Sequence, residues 1–502
     1  MNPYREDILL TGMAQASGRF IGLRDELEVL VARVSDERPA AVSLVGPRGL
    51  GKSFLLRYLD EAHGPQPAYA AAIGPRFATD PERLLFVRLD FSDAALTGRT
   101  PDLMPLLFDR LLSALARLLR IEDARLLPLD WMRTTRARSI AALRAEAARA
   151  VAQTRAAATD DELRNEFGAR FGRQPDALLY LLRTLEDWGL RVVFLLDDFD
   201  SIAGHLTHSE YDHLRALLAA ASLVIASTRA LSEQVPAEVQ SSPFFNLLER
   251  LNLVSIHFLV EEEARRLVVE PPSWSDSTVG FRFSDSDTDF ILSLTGLHPD
   301  LISATCEFLY RTRRAPLEPD VVPPAERPLV RALLRDRFAD FFALLWHPLT
   351  PGERGVLTAI AAGKLRDPGD IPPSLISRGY VVYREGHYRL FAGLFEDFVR
   401  EQAMLDEARA GAVPAPRGGL TDLEERLYAV LRARPGEIVG RDEIITALYD
   451  PHADPAKARG KLDTLVSRLR AKLKGEPVRI ESVRGQGYRL VVLSAEFYVQ
   501  SA

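Results

Sequence analysis

Four short apolar runs, each separated from the next by helix-length sequence, constrain the first half of this chain more than any other feature. They are "AAVSLVG" (40–46), "LLFVRLDF" (84–91), "RVVFLLDDFD" (191–200) and "ASLVIASTRA" (221–230). The runs are dominated by apolar residues, which predicts buried strands. Their separation by helical patterns predicts a parallel sheet covered by helices. A long, mostly helical insertion, roughly 100–187, lies between the second and third runs. Within it "DLMPLLFDRLLSALARLLR" is amphipathic, whereas "MRTTRARSIAALRAEAARAVAQTRAAA" is rich in Arg and Ala with little periodic apolar signal. The second piece reads as a solvated helix, with a nucleic-acid or partner surface as the alternative. From about 240 to 315 the pattern is again helical.

The first run leads into "GPRGLGKS", which fits G-x-x-x-x-G-K-[ST] from Gly46 through Pro47, Arg48, Gly49, Leu50 and Gly51 to Lys52 and Ser53. Glycines there let backbone N–H groups turn onto phosphate oxygens, and the helix that follows presents its positive end. Lys52 is placed to reach the β- and γ-phosphates, and the Ser53 hydroxyl to ligate Mg²⁺. A phosphate loop needs an acidic partner, and the third run ends in three acids within four residues. Asp197 is the candidate to hold Mg²⁺ through water and Asp198 to polarise an attacking water. Asp rather than Glu at that second position is compatible with slow ATP turnover. Thr228 and Arg229, at the end of the fourth run, fall near the γ-phosphate, where they can distinguish ATP from ADP.

At 502 residues the chain calls for about two to four domains, and 47% hydrophobic with 26% charged residues is a soluble globular composition. The formal net charge of −7 argues against a surface that is basic all over but leaves room for a local basic patch. A single cysteine, Cys306, excludes an internal disulfide framework and a Cys-cluster metal site. "MNPYREDILL" lacks the apolar core of a secretory signal, and no apolar run approaches membrane-spanning length, so a cytoplasmic protein with no membrane partner is expected. "EPDVVPPAERP" (318–328) and "RAGAVPAPRGG" (409–419) are Pro- and Gly-rich breaks. Between them, 349–399 reads as helices followed by a two-stranded hairpin turning at "REG". No tandem repeat of about 34 or 40 residues is present.

Together these residues resemble the STAND class of signal-transduction ATPases, relatives of the AAA+ proteins. "GRFIGLRDELEVL" (18–30) is similar to that family's adenine-side segment. Gly22 matches, and Arg24 stands in for the usual Arg, which is Leu23 here. "LTGLHPDLISATCEFLY" (294–310) resembles the helix in which a proline, here Pro299, contacts nucleotide; Gly296 also matches, and Leu297 departs from a second Gly. The resemblance implies an α/β P-loop NTPase core (18–236) after an N-terminal extension (1–17), then a helical lid (237–317) and a winged-helix domain (325–402). It also implies that this winged helix clamps ADP at rest and that ATP binding brings homo-oligomerisation. The family's usual C-terminal sensor repeats are missing, so the upstream signal or protein partner is unspecified.

After a linker (403–419), residues 420–496 resemble an OmpR-type winged-helix DNA-binding domain, the second of two small α+β winged-helix domains. The matching marks are "LTDLE" (420–424), "VGRDEI" (439–444), "SRLRAKL" (467–473) and "VRGQGYRL" (483–490). Leu462, Val466, Leu469 and Leu473 recur at helical spacing as one buried stripe. The opposite face carries Lys457, Gly460, Lys461, Thr464, Ser467 and Arg468, residues suited to a major groove. Arg470, Lys472 and Ser482 join them as candidate DNA contacts, and Arg484 matches the family position that reaches the minor groove. Apolar Leu465 stands where a polar residue is common in the family, so base preference does not transfer. From 457 to 489 ten basic residues face three acidic ones, the footprint expected for double-stranded DNA. The whole reads as an ATP/ADP·Mg²⁺ switch controlling a DNA-binding transcription regulator. A DNA-anchored ATPase machine (replication-initiator-like or a defence ATPase) and a nucleotide-binding scaffold without turnover stand as alternatives.

Overall fold

The computed structural model describes residues 4, 21–36, 38–60, 81–92, 102–136, 139–171, 175–249, 252–271, 281–312, 320–365, 367–384, 386–412, 420–433, 438–448, 455–473, 478–483 and 486–492. The chain divides into two compact units. One comprises Met1–Phe338 with Asp367–Leu394, the other Ala339–Arg366 with Phe395–Ala502. The division passes through the stretch 325–402 expected to form one domain.

In the first unit, β1 (Ala41–Val45), β2 (Leu84–Asp90), β3 (Arg191–Asp197), β4 (Ala221–Ser227) and β5 (Leu253–Ser255) form a parallel sheet. Their order is β2-β3-β4-β1-β5. The four predicted runs each contain their strand. β5 lies in sequence expected to be helical. It is three residues long with two of them exposed, and its pairing with β1 (Ser43 opposite Leu253), rather than its own pattern, makes it a strand.

The largely apolar runs follow from two-sided burial. Val192, Phe194 and Leu196 of β3 face one core, and Val193 and Leu195 face the other. The second core holds the helices Arg24–Val34 and Lys52–Asp60. The first is completed by the insertion, whose helices Leu103–Leu119, Ile140–Arg155 and Pro175–Asp187 flank Trp131 and Trp188, 5.2 Å apart and edge-on. The Arg/Ala-rich stretch is thus only half solvated: Leu143, Ala147, Ala150 and Val151 make a narrow buried stripe. Two of its arginines are ion-paired within the fold, Arg155 to Asp160 and Glu122 (2.7 Å each) and Arg136 to Asp187 (3.0 Å).

Beyond the sheet come the helices Glu261–Val269, Asp285–Thr295 and Pro299–Thr312. The Pro-rich break after them is anchored. Asp287, fully buried, accepts the N–H groups of Val321 and Val322 at 2.8 and 2.9 Å, as well as the Ser284 hydroxyl and N–H. The predicted hairpin is present as β6 (Val381–Arg384) and β7 (His387–Leu390), with Arg384 opposite His387 at the turn.

In the second unit, Phe342, Phe395 and Phe398 cluster with ring centroids 5.5–6.2 Å apart. Its C-terminal portion contains the helices Asp422–Arg432, Arg441–Leu448 and Pro455–Lys472. A three-stranded antiparallel sheet completes it: β8 (Ile438–Gly440), β9 (Val478–Val483) and β10 (Gly487–Val492), in the order β8-β10-β9. Helices and strands share one core through Leu427, Leu431, Val439, Leu462, Leu469 and Leu490. Among the described residues, no helix is long and apolar enough to cross a membrane.

Candidate nucleotide pocket and DNA-facing helix

The sheet order sets the carboxyl ends of β1, β3 and β4 side by side, where an open parallel sheet presents its binding crevice. The loop from Gly46 to Ser53 leaves β1 there and ends in the helix Lys52–Asp60. Gly49 has a φ of 74°, and a Cβ on it would lie 2.4 Å from the His298 ring, so the turn excludes any side chain. A cavity of about 360 Å³ opens beside the loop. Gly51, Lys52 and Ser53 line one end, and Tyr4, Ile21, Leu23, Leu259, Leu267 and Pro299 give an apolar wall.

Pro299, the proline that the resemblance sets against nucleotide, is among the lining residues. Arg24 is not among the lining residues. Its side chain is 57% exposed and bonded to Glu28 at 3.3 Å, and Leu23 lines the cavity instead. Gly22, with a φ of 69°, packs against Leu259 next to that wall. Tyr4 belongs to the stretch expected to be a bare extension, yet it is buried and donates its hydroxyl to the Val268 carbonyl. No motif surrounds it to reveal this.

Lys52 Nζ donates to the carbonyls of Gly46 and Pro47, the latter at 2.7 Å. Burial pushes its pKa down to about 8, against the pull of Asp200 and Asp197. Ser53 Oγ donates to Asp197 Oδ1 at 3.0 Å, and the other carboxylate oxygen accepts from Arg88 at 2.7 Å. Asp198 has a left-handed φ of 50°; its carboxylate accepts from Ser201 Oγ at 2.6 Å and lies 3.9 Å from the Arg48 guanidinium. Asp200, given no role from the sequence, grips Thr228 through its N–H (2.8 and 3.0 Å) and hydroxyl (2.8 Å). Thr228 is thereby fixed at the end of β4. Arg229 beside it is exposed, and its guanidinium makes no hydrogen bond or ion pair among the described residues.

The sequence also gave no role to His298. Its Nδ1 accepts the Leu301 N–H at 3.3 Å, so Nε2 carries the proton and donates to the Arg48 carbonyl at 3.0 Å. Burial depresses its pKa to about 4, which keeps the ring neutral near pH 7. It packs against Phe258 and Phe391, 5.9 and 5.6 Å between centroids. In "GLHP" nothing separates this histidine from a surface one, because its partner is a backbone carbonyl 250 residues away. The donor set fits a hard divalent cation, with one hydroxyl and one carboxylate oxygen converging. The backbone cradle, closed to side chains at Gly49, fits a phosphate chain.

In the C-terminal portion, Lys461, Thr464, Ser467 and Arg468 are exposed along one face of Pro455–Lys472. Leu462, Val466, Leu469 and Leu473 are buried as expected. Leu465, apolar where the family commonly has a polar residue, is buried too: with 462, 466 and 469 it widens the apolar stripe. Arg470, Lys472 and Ser482 are engaged inside the domain. Arg470 donates to the Ile480 carbonyl (2.9 Å) and to Ser482 Oγ (2.8 Å), and Lys472 pairs with buried Glu424 at 2.6 Å. The Lys457 side chain and Arg484 lie outside the described residues.

Hydrogen bonds from Lys472 and Thr421 draw the Glu424 pKa down to about 2. A carboxylate depressed on folding contributes stability that is complete above its unfolded value, near 4.5, and is lost as pH falls toward 2. Acid unfolding of residues 420–502 should therefore steepen across that window. Glu424→Gln should flatten it, as circular dichroism against pH would report.

No curated protein matches the chain. Among solved structures, a Walker-type ATPase of Pyrococcus abyssi aligns at 12% identity and a TM-score of 0.46, covering 76% of this chain and 96% of that one. The Aeropyrum pernix ORC2 protein in its ADP form aligns at 12% identity and a TM-score of 0.38, covering 76% and 94%. The Aeropyrum pernix ORC1 protein in complex with DNA aligns at 14% identity and a TM-score of 0.27, covering 97% and 91%. At the other end of the chain, residues 417–490 match the family described as "Transcriptional regulatory protein, C terminal".

Proposed function

We infer that this protein is an ATP-dependent regulatory switch that governs a DNA-binding domain, and that it acts as a transcription regulator of the STAND type. The observation that carries the reading is the joint presence of two things in one chain. They are a phosphate loop whose Ser53 meets Asp197, and a domain matched to transcriptional regulators. Bound ATP·Mg²⁺ supplies the γ-phosphate whose presence or loss distinguishes two states. The chain supplies the rest. Backbone N–H groups of 46–53 and the start of Lys52–Asp60 orient the phosphates, Lys52 neutralises them, and Ser53 with Asp197 holds the cation. Asp200 fixes Thr228, which with Arg229 senses the terminal phosphate. Asp198, engaged by Ser201 and facing Arg48, has its proton-accepting oxygens partly occupied, which favours slow turnover over a fast motor.

Nucleotide can bias the DNA-binding portion only by its difference in affinity for two arrangements of the chain. The direct test is DNA affinity of the full-length protein without nucleotide, with ADP and with ATP. Identical affinity in all three would sink the switch. On the DNA side, Lys461, Thr464, Ser467 and Arg468 form the proposed reading face, while Arg470, Lys472 and Ser482 hold the domain together. Arg468→Ala should cost about 1–3 kcal/mol at a selected cognate site and less on random DNA. Equal losses on both sequences, measured by fluorescence anisotropy, would reassign Arg468 to phosphate contact.

A further inference from the structure

We propose that Arg88 is a positioning residue that keeps the Ser53–Asp197 pair weak for a divalent cation until nucleotide phosphates are present. The proposal rests on the nucleotide-binding reading above and deepens it: metal uptake becomes conditional on nucleotide. Arg88 and Asp90 leave the same face of β2, and Asp90 lies directly opposite Asp197 of β3. Arg88 Nη2 therefore spans diagonally to Asp197 Oδ2 at 2.7 Å while also reaching Asp90 Oδ2 at 2.8 Å. Ser53 takes the remaining oxygen of Asp197, so both carboxylate oxygens are engaged.

The Asp197 side chain is 3% exposed and that of Arg88 17%, so solvent screens the pair poorly. Arg88 Nε is buried with no hydrogen-bond partner among the described residues. An unsatisfied buried N–H destabilises, so the guanidinium is held against Asp197 at a cost to the fold. A cation entering between Ser53 and Asp197 shares its carboxylate with a fixed positive charge, and that repulsion lowers affinity for the bare ion. Phosphate oxygens next to Lys52 bring negative charge to the same place and reverse the balance. Arg88 thus discriminates between a free divalent ion and one arriving with a polyphosphate.

The experiment uses the full-length protein and Mn²⁺ as probe, followed by its paramagnetic resonance signal, with and without saturating ADP. Arg88→Gln should tighten Mn²⁺ binding in the absence of ADP by about tenfold, with a much smaller change in its presence. Arg88→Lys keeps the charge and should remain near the wild type. Should the Gln variant not fold, Arg88→Met carries the same expectation. Mn²⁺ affinity no tighter in the neutral variant, or equally tightened in the Lys variant, overturns the role of Arg88. ADP binding by the wild type is a separate readout: its absence overturns the nucleotide reading itself.

Discussion

Lys52→Ala is expected to remove nucleotide binding and to leave residues 420–502 able to bind DNA. Lys52 is the one ammonium directed at the centre of the phosphate loop, where it donates to the carbonyls of Gly46 and Pro47. When phosphate is bound, these donors are free to turn to its oxygens. Charge-assisted bonds of that kind contribute about 1.5–3 kcal/mol each, so losing two or three costs on the order of a thousandfold or more in affinity. The same substitution should not unfold the protein. Burial already works against the charged form of Lys52, and alanine relieves the chain of that desolvated charge. Isothermal calorimetry with ATP and ADP, paired with a thermal melt, separates the two effects. DNA binding by the isolated fragment is expected because its core is built from its own helices and sheet. A fragment that folds yet fails to bind DNA would refute modular assembly.

Gly296→Ala is expected to be the most damaging single-methyl change in the first unit. Gly296 ends the helix Asp285–Thr295 at φ 61° and ψ −145°, a region that only glycine occupies at low energy. A Cβ there would sit 1.8 Å from the Phe391 carbonyl, and a backbone oxygen cannot rotate away. Dihedral strain alone costs on the order of 1–3 kcal/mol, and the clash must be relieved by parting the hairpin end from the helix Asp285–Thr295. The loss should exceed about 3 kcal/mol, read as a fall in denaturant midpoint. Because Phe391 also packs on His298, nucleotide affinity should fall as well. A stable variant with normal nucleotide binding would mean that this contact is unimportant.

Much of this was legible in the sequence, for identifiable reasons. Two-sided burial writes itself as largely apolar runs, so β1 to β4 could be placed. Helical periodicity likewise announced Leu462, Val466, Leu469 and Leu473. The phosphate loop and Asp197 are legible because backbone curvature and charge demand particular residue types at fixed spacing. What escaped was long-range pairing. β5 is a strand only because β1 is beside it, and Asp200 and His298 act through Thr228 and a carbonyl of Arg48 that no local pattern connects to them. The burial of Leu465 and the bonds of Arg470 to Ile480 and Ser482 escaped for a related cause. A single helix viewed alone shows its faces but not how far the neighbouring sheet wraps around them.

The grip of Asp287 on Val321 and Val322 changes what the proline-rich stretch can do. By composition it is a joint, a place where one body could swing against another. In the fold its two valines are entirely enclosed, and their amides are pinned to a carboxylate that itself sits out of water. Pivoting there would strip two hydrogen bonds from a carboxylate buried in the interior, so the stretch behaves as a rivet. Lengthening it by a few residues should harm the protein more than the same insertion between 413 and 419, and whatever movement answers to nucleotide must be sought at another point of the chain.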